Sequence, residues 1–111
     1  MTHMSNNDYN GWANYETWNV NLWIQNDEGF YNHMVGELRF VLEEHEWDWE
    51  NVSLAEVRGL IREVLGSKTP DGVRTDDSQI DWSEISDALL ELAEGNNISV
   101  RGEDSTEIPG Y

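Results

Sequence analysis

The densest group of ionisable side chains in the sequence lies in residues 43–50, which read Glu-Glu-His-Glu-Trp-Asp-Trp-Glu. Five carboxylates fall within these eight residues, and two tryptophans stand between them. Large aromatic side chains beside a concentrated negative charge are typical of a surface that binds a basic partner, because the aromatics anchor the contact and the charges steer the encounter. The residues expected to contact a partner are Glu43, Glu44, Glu46, Trp47, Asp48 and Glu50.

Two interpretations of this segment stay open at the level of sequence. In the first, it is a helix end and a connector, with Trp47 and Trp49 folded back on the core and the carboxylates in water. In the second, it is a contact surface whose charge density approaches that of a nucleic-acid strand. The second interpretation predicts a DNA mimic that occupies the DNA-binding groove of a basic or nucleic-acid-binding protein.

The net charge limits the classes of partner. Six Lys and Arg residues against 23 Asp and Glu residues give a formal charge of −17, which repels nucleic-acid phosphates and anionic membrane surfaces. We therefore expect no direct binding of nucleic acid or membranes. The chain has no cysteine, so disulfides and thiolate nucleophiles are excluded. No signal peptide or membrane-length apolar run is visible, and a cytoplasmic location is expected.

Candidate catalytic and metal-binding patterns are weak. His33 and Glu37 lie one helical turn apart, a spacing that metal ligands use, but a two-histidine zinc motif is absent and surface side chains explain the pair. Asp71, Asp76 and Asp77 share a loop, but their spacing does not fit a calcium-binding EF-hand. We expect no catalytic residue, no cofactor and no metal.

Two other functions remain as alternatives to partner binding. A composition with one Lys against five Arg and many acidic residues also fits a regulatory or housekeeping domain adapted to a high-salt cytoplasm. A small carboxylate-dependent enzyme is the other alternative, and it requires a carboxyl group with a raised pKa in a cleft. The sequence leaves the oligomeric state open.

The elements that must position these residues are predicted to be helices. Asn14 is a good N-cap for a first helix, which is apolar on most sides and is expected to be the central element. Apolar residues at offsets of three and four predict a second helix from about Glu28 to His45. Gly36 in that helix is expected to allow close approach of a neighbouring helix or ring.

Capping boxes predict the starts of two further helices. Ser53 and Glu56 form the first box, and the helix is expected to end at Gly66. Asp81 and Glu84 form the second, and that helix is expected to end at Gly95. A short strand is possible at residues 98–100.

The predicted fold is a single all-α domain, a small bundle of three to four helices with irregular termini. The chain carries twelve aromatic residues in phased positions, so its acidity does not indicate disorder. Residues 1–10 are expected to be a flexible segment, residues 11–94 the helical domain and residues 95–111 a loosely held tail.

Residues 14–18, Asn-Tyr-Glu-Thr-Trp, and residues 80–85, Ile-Asp-Trp-Ser-Glu-Ile, resemble two shared elements of a family of small uncharacterised proteins from bacteria, archaea and their viruses. The resemblance implies a compact helical domain that is often carried on mobile elements, with no known catalytic residue. The residues of the first element also have a structural interpretation, in which Asn14 caps a helix while Tyr15 and Trp18 pack toward the core beside the helix start that Trp82 flanks.

Overall fold

The computed structural model describes residues 11–102, which form four α-helices without a β-strand. The all-α fold predicted from the sequence is therefore confirmed. The expected flexible segment, residues 1–10, and the last part of the expected tail, residues 103–111, lie outside the described residues. The helices are α1 (Tyr15–Asn26), α2 (Glu28–Glu44), α3 (Leu54–Leu65) and α4 (Trp82–Gly95), with a 3-10 helix (Trp49–Asn51) between α2 and α3. None of these helices is long and apolar enough to cross a membrane.

Local capping explains where the first two helices begin. The side chain of Asn14 accepts a hydrogen bond from the Thr17 N–H at 2.9 Å, as an N-cap does. Asp27 has an extended backbone and ends α1 while its side chain caps α2 by accepting from the Phe30 N–H at 2.9 Å. A single residue thus separates two helices, which must turn back on one another at this point.

The expectation that α1 is the central element is wrong. α2 and α4 each pack against all three other helices, whereas α1 packs principally against α2 and α4. Two of the four fully enclosed positions on α1, Thr17 and Asn19, are polar, and only Val20 and Ile24 are apolar. Trp18 and Trp23, which make the sequence of α1 apolar on most sides, are only half-buried.

The two predicted capping boxes have different outcomes. At α3 the box is present, because Ser53 Oγ accepts from the Glu56 N–H at 3.1 Å and Glu56 Oε1 accepts from the Ser53 N–H at 2.9 Å. At α4 the side chain of Asp81 caps the helix, but Glu84 does not accept from the Asp81 N–H. The Asp81 N–H donates instead to Thr17 on α1, and Glu84 accepts instead from the Ala13 N–H just before α1.

The core lies between the inner faces of the helices. Val57, Leu60, Ile61 and Val64 of α3 are all buried, as their spacing predicts, and Ile85, Leu89 and Leu92 of α4 face them. The same cluster contains Met34, Leu38 and Leu42 of α2. Gly36 does not serve a close approach, since a Cβ at this position would have no atom within 4 Å.

Residues 96–102 run back along the bundle. Ile98 and Val100 are buried in the core, and the Trp49 N–H donates to the Val100 carbonyl at 2.9 Å. Residues 98–100 form no strand, because the pairing is limited to one isolated bridge between Asp48 and Arg101. This segment is part of the packed domain and holds residues 47–49 in place.

Candidate functional site

The acidic segment predicted to contact a partner has its charged side chains outward and its tryptophans inward. Glu43, Glu44, Glu46 and Glu50 are exposed. Trp49 is buried, and its indole N–H donates to Ser86 Oγ on α4 at 3.3 Å. Residues 43–50 therefore connect α2 to the next helix through a buried tryptophan and also carry exposed negative charge.

The backbone at the end of α2 is strained. Glu46 and Trp47 have φ angles of 57° and 62°. This left-handed backbone conformation costs residues other than glycine about 1–3 kcal/mol each. The turn is held because the Trp47 N–H donates to the Leu42 carbonyl at 2.6 Å and the Trp47 carbonyl accepts from the Gly102 N–H at 2.7 Å. The Trp47 ring is half-buried against the core, so only part of it is available to a partner.

Asp48 is engaged within the fold. Its side chain caps the 3-10 helix by accepting from the Glu50 N–H at 3.1 Å. Its carboxyl group also lies against Gly102, where a Cβ would be 3.3 Å from Asp48 Oδ2. Asp48 is thus the member of the predicted contact set whose charge is most constrained by neighbouring backbone.

The exposed side of α4 carries a second group of carboxylates, less dense along the sequence than those of residues 43–50. Asp87, Glu91 and Glu94 recur every three or four residues, are all exposed and share one side of the helix. The sequence already indicates negative charge on this helix, and the spacing places it on one side. On one flank of α4, Glu50 and Asp48 line a depression together with Leu90 and Arg101. We name Asp48, Glu50, Glu84, Asp87, Glu91 and Glu94 the α4 acidic face.

On its other flank α4 forms a groove with α1. The groove has a volume of about 600 Å³, and none of the described residues that line it is Lys, Arg or His. Its lining combines two aromatic rings, two amides, three carboxylates and a few small or apolar groups. These residues are Trp12, Tyr31, Asn21, Gln25, Glu84, Asp87, Glu91, Gly11, Ala88, Leu92 and Gly95. We name this feature the α1–α4 groove.

Three hydrogen bonds hold the start of α1 beside the start of α4 and so form one end of the groove. Glu84 Oε1 accepts from the Ala13 N–H at 2.8 Å, and Asn14 Nδ2 donates to the Gln79 carbonyl at 2.6 Å. The Asp81 N–H donates to the buried Thr17 Oγ1 at 2.8 Å. The bond to Ala13 is the one that takes Glu84 away from the predicted capping box.

A polar network ties the middle of α1 to the loop before α4. Buried Asn19 accepts from Thr69 Oγ1 at 2.7 Å and donates to Asp71 Oδ2 at 2.8 Å. The Trp23 indole N–H donates to the same oxygen at 2.9 Å. These hydrogen bonds, the one from Asn19 first, lower the pKa of the Asp71 carboxyl group below its ordinary value.

A family model matches residues 5–98 and is described as a family of unknown function, DUF7249. The chain belongs to this family. The chain matches no curated protein and no solved structure. The DUF7249 match includes both motifs that suggested an uncharacterised family. The taxonomic range of the family stays a prediction. So does the expectation that the Asn-Tyr-Glu-Thr-Trp motif is characteristic of it.

The two motifs meet at the groove of this DUF7249 protein. Asn14 and Thr17 of the first motif bond to residues at or just before the second, as the expected proximity of Trp82 implied. Tyr15 was expected to pack toward the core, but it is 37% exposed, because it lies on the side of α1 away from Val20. The polar residues of the motif, more than its aromatics, join the two elements.

The basic residues lie mostly elsewhere in the molecule. Four of the six Lys and Arg residues fall between residues 58 and 74, on α3 and in the loop that follows. The Arg58 guanidinium lies 5.9 Å from the centre of the Trp82 ring at the start of α4. On the α4 acidic face, Glu94 Oε2 accepts from Arg101 Nη2 at 2.8 Å. The region of α3 and its following loop thus mixes basic and acidic residues, whereas Arg101 is the basic residue that pairs with the α4 acidic face.

The structure does not bring the three loop aspartates together as a calcium site. Asp71 bonds to α1, and Asp76 forms a two-pronged pair with Arg74, with N–O distances of 3.0 and 3.1 Å. Asp77 Oδ1 accepts from the Gln79 N–H at 2.8 Å. Among residues 11–102 these side chains do not form a group whose ligand atoms could surround one ion.

Proposed function

We propose that this chain is a non-enzymatic interaction module whose acidic surface occupies the nucleic-acid-binding groove of a basic protein. The observation that carries the proposal is the α4 acidic face, where carboxylates are attached to ordered helices and turns beside the α1–α4 groove. Negative groups held at regular positions on a rigid scaffold lose less entropy on docking than those of a flexible acidic tail.

The position of the acidic residues at helix ends supports a role other than folding. The last turns of α2 and α4 contain no basic residue, yet Glu43 and Glu44 end α2, and Glu91 and Glu94 lie near the end of α4. The negative pole of the helix dipole disfavours anions there by about 0.3–1 kcal/mol each. Residues that cost stability need another reason for their presence, and binding a cationic partner supplies one.

The α1–α4 groove suggests how such a partner would be recognised. A Lys or Arg side chain in the groove would meet carboxylates from α4 and the rings of Trp12 and Tyr31. A cation over an aromatic ring adds about 0.5–2 kcal/mol, depending on its desolvation. The proposed partner is therefore a basic surface that inserts one or more cationic side chains.

The proposed role is cytoplasmic, where nucleic-acid-binding proteins are available. If the gene is carried by a virus or mobile element, a DNA-dependent defence enzyme of the host, such as a nuclease, is the corresponding target. Adaptation to high salt is the competing explanation of the acidity, and it predicts that no partner is retained.

The test is affinity capture of the tagged protein from host lysate at about 0.05 and 0.5 M salt, with bound proteins identified by mass spectrometry. We expect a nucleic-acid-binding protein that is retained at low salt, released at high salt and displaced by duplex DNA. A capture without bound protein at both salt concentrations would overturn the proposal.

Charge-matched variants locate the surface. Asp87→Lys with Glu91→Lys changes the α4 acidic face, and Glu28→Lys with Asp76→Lys is a control that changes the net charge equally at exposed positions on α2 and in the loop after α3. We expect the first pair to weaken binding at least about tenfold and the control to weaken it much less, because short-range charge pairing decides docking. Equal losses of binding in the two pairs would show that binding depends on net charge alone and not on the α4 acidic face.

The segment predicted from sequence has its own variant, in which Glu43, Glu46 and Glu50 are all changed to Lys. If this triple variant loses binding and the α4 pair does not, the contact lies at the end of α2. Far-UV circular dichroism of every variant verifies that the helices are intact.

A further inference from the structure

We propose that His33, Glu37 and Glu63 form a binding site for a divalent transition-metal ion of the zinc class. Within residues 11–102 they are the one group whose potential ligand atoms, an imidazole nitrogen and two carboxylate oxygens, all lie within 4.8 Å of one another. His33 and Glu37 are one turn apart on α2, and Glu63 reaches them from α3. The packing of α2 against α3 thus supplies the third ligand that the sequence pattern lacked.

The distances distinguish this group from an ordinary hydrogen-bonded pair. His33 Nε2 lies 3.6 Å from Glu37 Oε2 and 4.0 Å from Glu63 Oε2, both too long for a hydrogen bond. Two ligands bound at about 2.0–2.1 Å to a tetrahedral zinc ion lie about 3.3 Å apart. The His33–Glu37 separation is close to this spacing, and the exposed Glu63 side chain must move closer to His33. By contrast, His45 Nε2 lies 2.6 Å from Glu56 Oε2, which is a direct hydrogen bond without a third ligand.

The chemistry of the donors selects the ion. Imidazole nitrogen together with carboxylate oxygen suits zinc and its neighbours, whereas magnesium and calcium prefer oxygen donors alone. The two glutamates also bring like charges near each other on a protein that is already strongly negative, and a divalent cation between them would offset that repulsion. Three protein ligands leave a fourth position for water.

The side chains are partly exposed, with 44% of His33, 31% of Glu37 and 60% of Glu63 accessible. An ion can therefore enter without a change in the fold. A bound ion would join α2 to α3 by bonds that the helices do not otherwise make, so its binding should raise the thermal stability of the protein.

The experiment is a titration of the full chain with zinc, magnesium and calcium chlorides, followed by calorimetry and by thermal unfolding. We expect zinc at about ten times its dissociation constant to raise Tm by about 5 °C, since binding to the folded state alone is linked to stability. Magnesium and calcium at the same concentration should produce a much smaller shift. Equal shifts for all three ions would indicate diffuse attraction to negative charge and overturn the proposal.

Two variants assign the ligands. His33→Gln and Glu63→Gln should each weaken zinc binding at least about tenfold, because each removes one of three ligands. His45→Gln is the matched control, since it removes an imidazole of the neighbouring His–Glu pair and should leave zinc binding unchanged. Zinc binding of wild-type strength in His33→Gln, with intact helical circular dichroism, would also overturn the proposal. The outcome is independent of whether the α4 acidic face binds a partner.

Discussion

At the scale of single residues, the polar side chains of α1 contribute more to the arrangement of the molecule than its tryptophans do. Thr17 Oγ1 donates to Asn14 Oδ1 at 2.7 Å and accepts from the Asp81 N–H, so one hydroxyl joins the caps of two helices. Asn19 performs a similar role for the loop that precedes α4. Buried polar groups that are fully paired define one arrangement, because every alternative leaves a donor or acceptor unpaired.

Changing Thr17 to Val should reduce the free energy of unfolding by about 1–3 kcal/mol. The Asp81 N–H is partly buried, so it loses its hydrogen-bond acceptor without gaining full hydration by water. Thr17→Ser is the matched control, since it keeps the hydroxyl and removes one methyl group. Urea unfolding followed by circular dichroism measures both. A Val variant as stable as the wild type would contradict the role assigned to this hydroxyl.

Glu56 predicts a specific dependence on pH. The hydrogen bond from the Ser53 N–H, and then that from His45, lower the pKa of this carboxyl group below its ordinary value of 4.5. A lowered folded-state pKa means that the contribution to stability is present above pH 4.5 and is lost as the pH falls through the folded-state pKa.

We therefore expect Glu56→Gln to destabilise the protein at neutral pH, and the difference from the wild type to shrink as the pH falls below 4.5. Urea unfolding of both proteins at several pH values measures this difference. A difference that stays constant across the acidic range would show that the carboxylate charge is not involved.

At the scale of elements, Gly36 and Gly66 have different roles. At Gly36 only helix propensity matters, whereas at Gly66 the backbone conformation requires glycine. Gly36 lies inside α2 with open space around it, so no packing contact requires it. Gly66 follows the last residue of α3 with a φ of 84°, where a side chain is strained even though the space is open.

Gly36→Ala should stabilise the protein by about 0.5–1 kcal/mol, since alanine is the better helix former and loses less entropy on folding. Gly66→Ala should destabilise it by about 1–3 kcal/mol, because a φ of 84° with a ψ of −150° is a conformation that essentially only glycine adopts. Thermal unfolding of the two variants provides the comparison, and a gain in stability from both would contradict the end assigned to α3.

At the scale of the whole molecule, the charge of −17 acts on both folding and binding. Self-repulsion destabilises the compact state, and salt screens it over a length of about 10 Å at 0.1 M. The same screening weakens attraction to a basic partner. Salt should therefore change stability and proposed binding in opposite directions.

We expect the helical circular dichroism to persist at about 0.02 M salt, and Tm to rise as salt is added, since the apolar core holds the fold and screening only relieves repulsion. The variant Glu43→Lys with Glu44→Lys should raise Tm at low salt and depend less on added salt, because it removes two anions from the end of α2. Loss of helical structure at low salt would instead favour adaptation to a saline cytoplasm.

The helices can be predicted from the amino-acid sequence alone, because capping and apolar periodicity act within a few residues along the chain. Ser53 with Glu56 predicts the start of α3 correctly, and the spacing of Val57, Leu60 and Ile61 predicts its buried side. The exposed charge of residues 43–50 follows from the same local reasoning.

The contacts between side chains of different helices follow from the packed fold and not from any local pattern. The fold gives Glu84 the Ala13 N–H as its partner, brings Glu63 near His33, and forms the α1–α4 groove beside the carboxylates of α4. Each of these features depends on how the faces of two helices are oriented toward each other. That orientation follows from the packing of the whole core, and no short segment of the chain contains it.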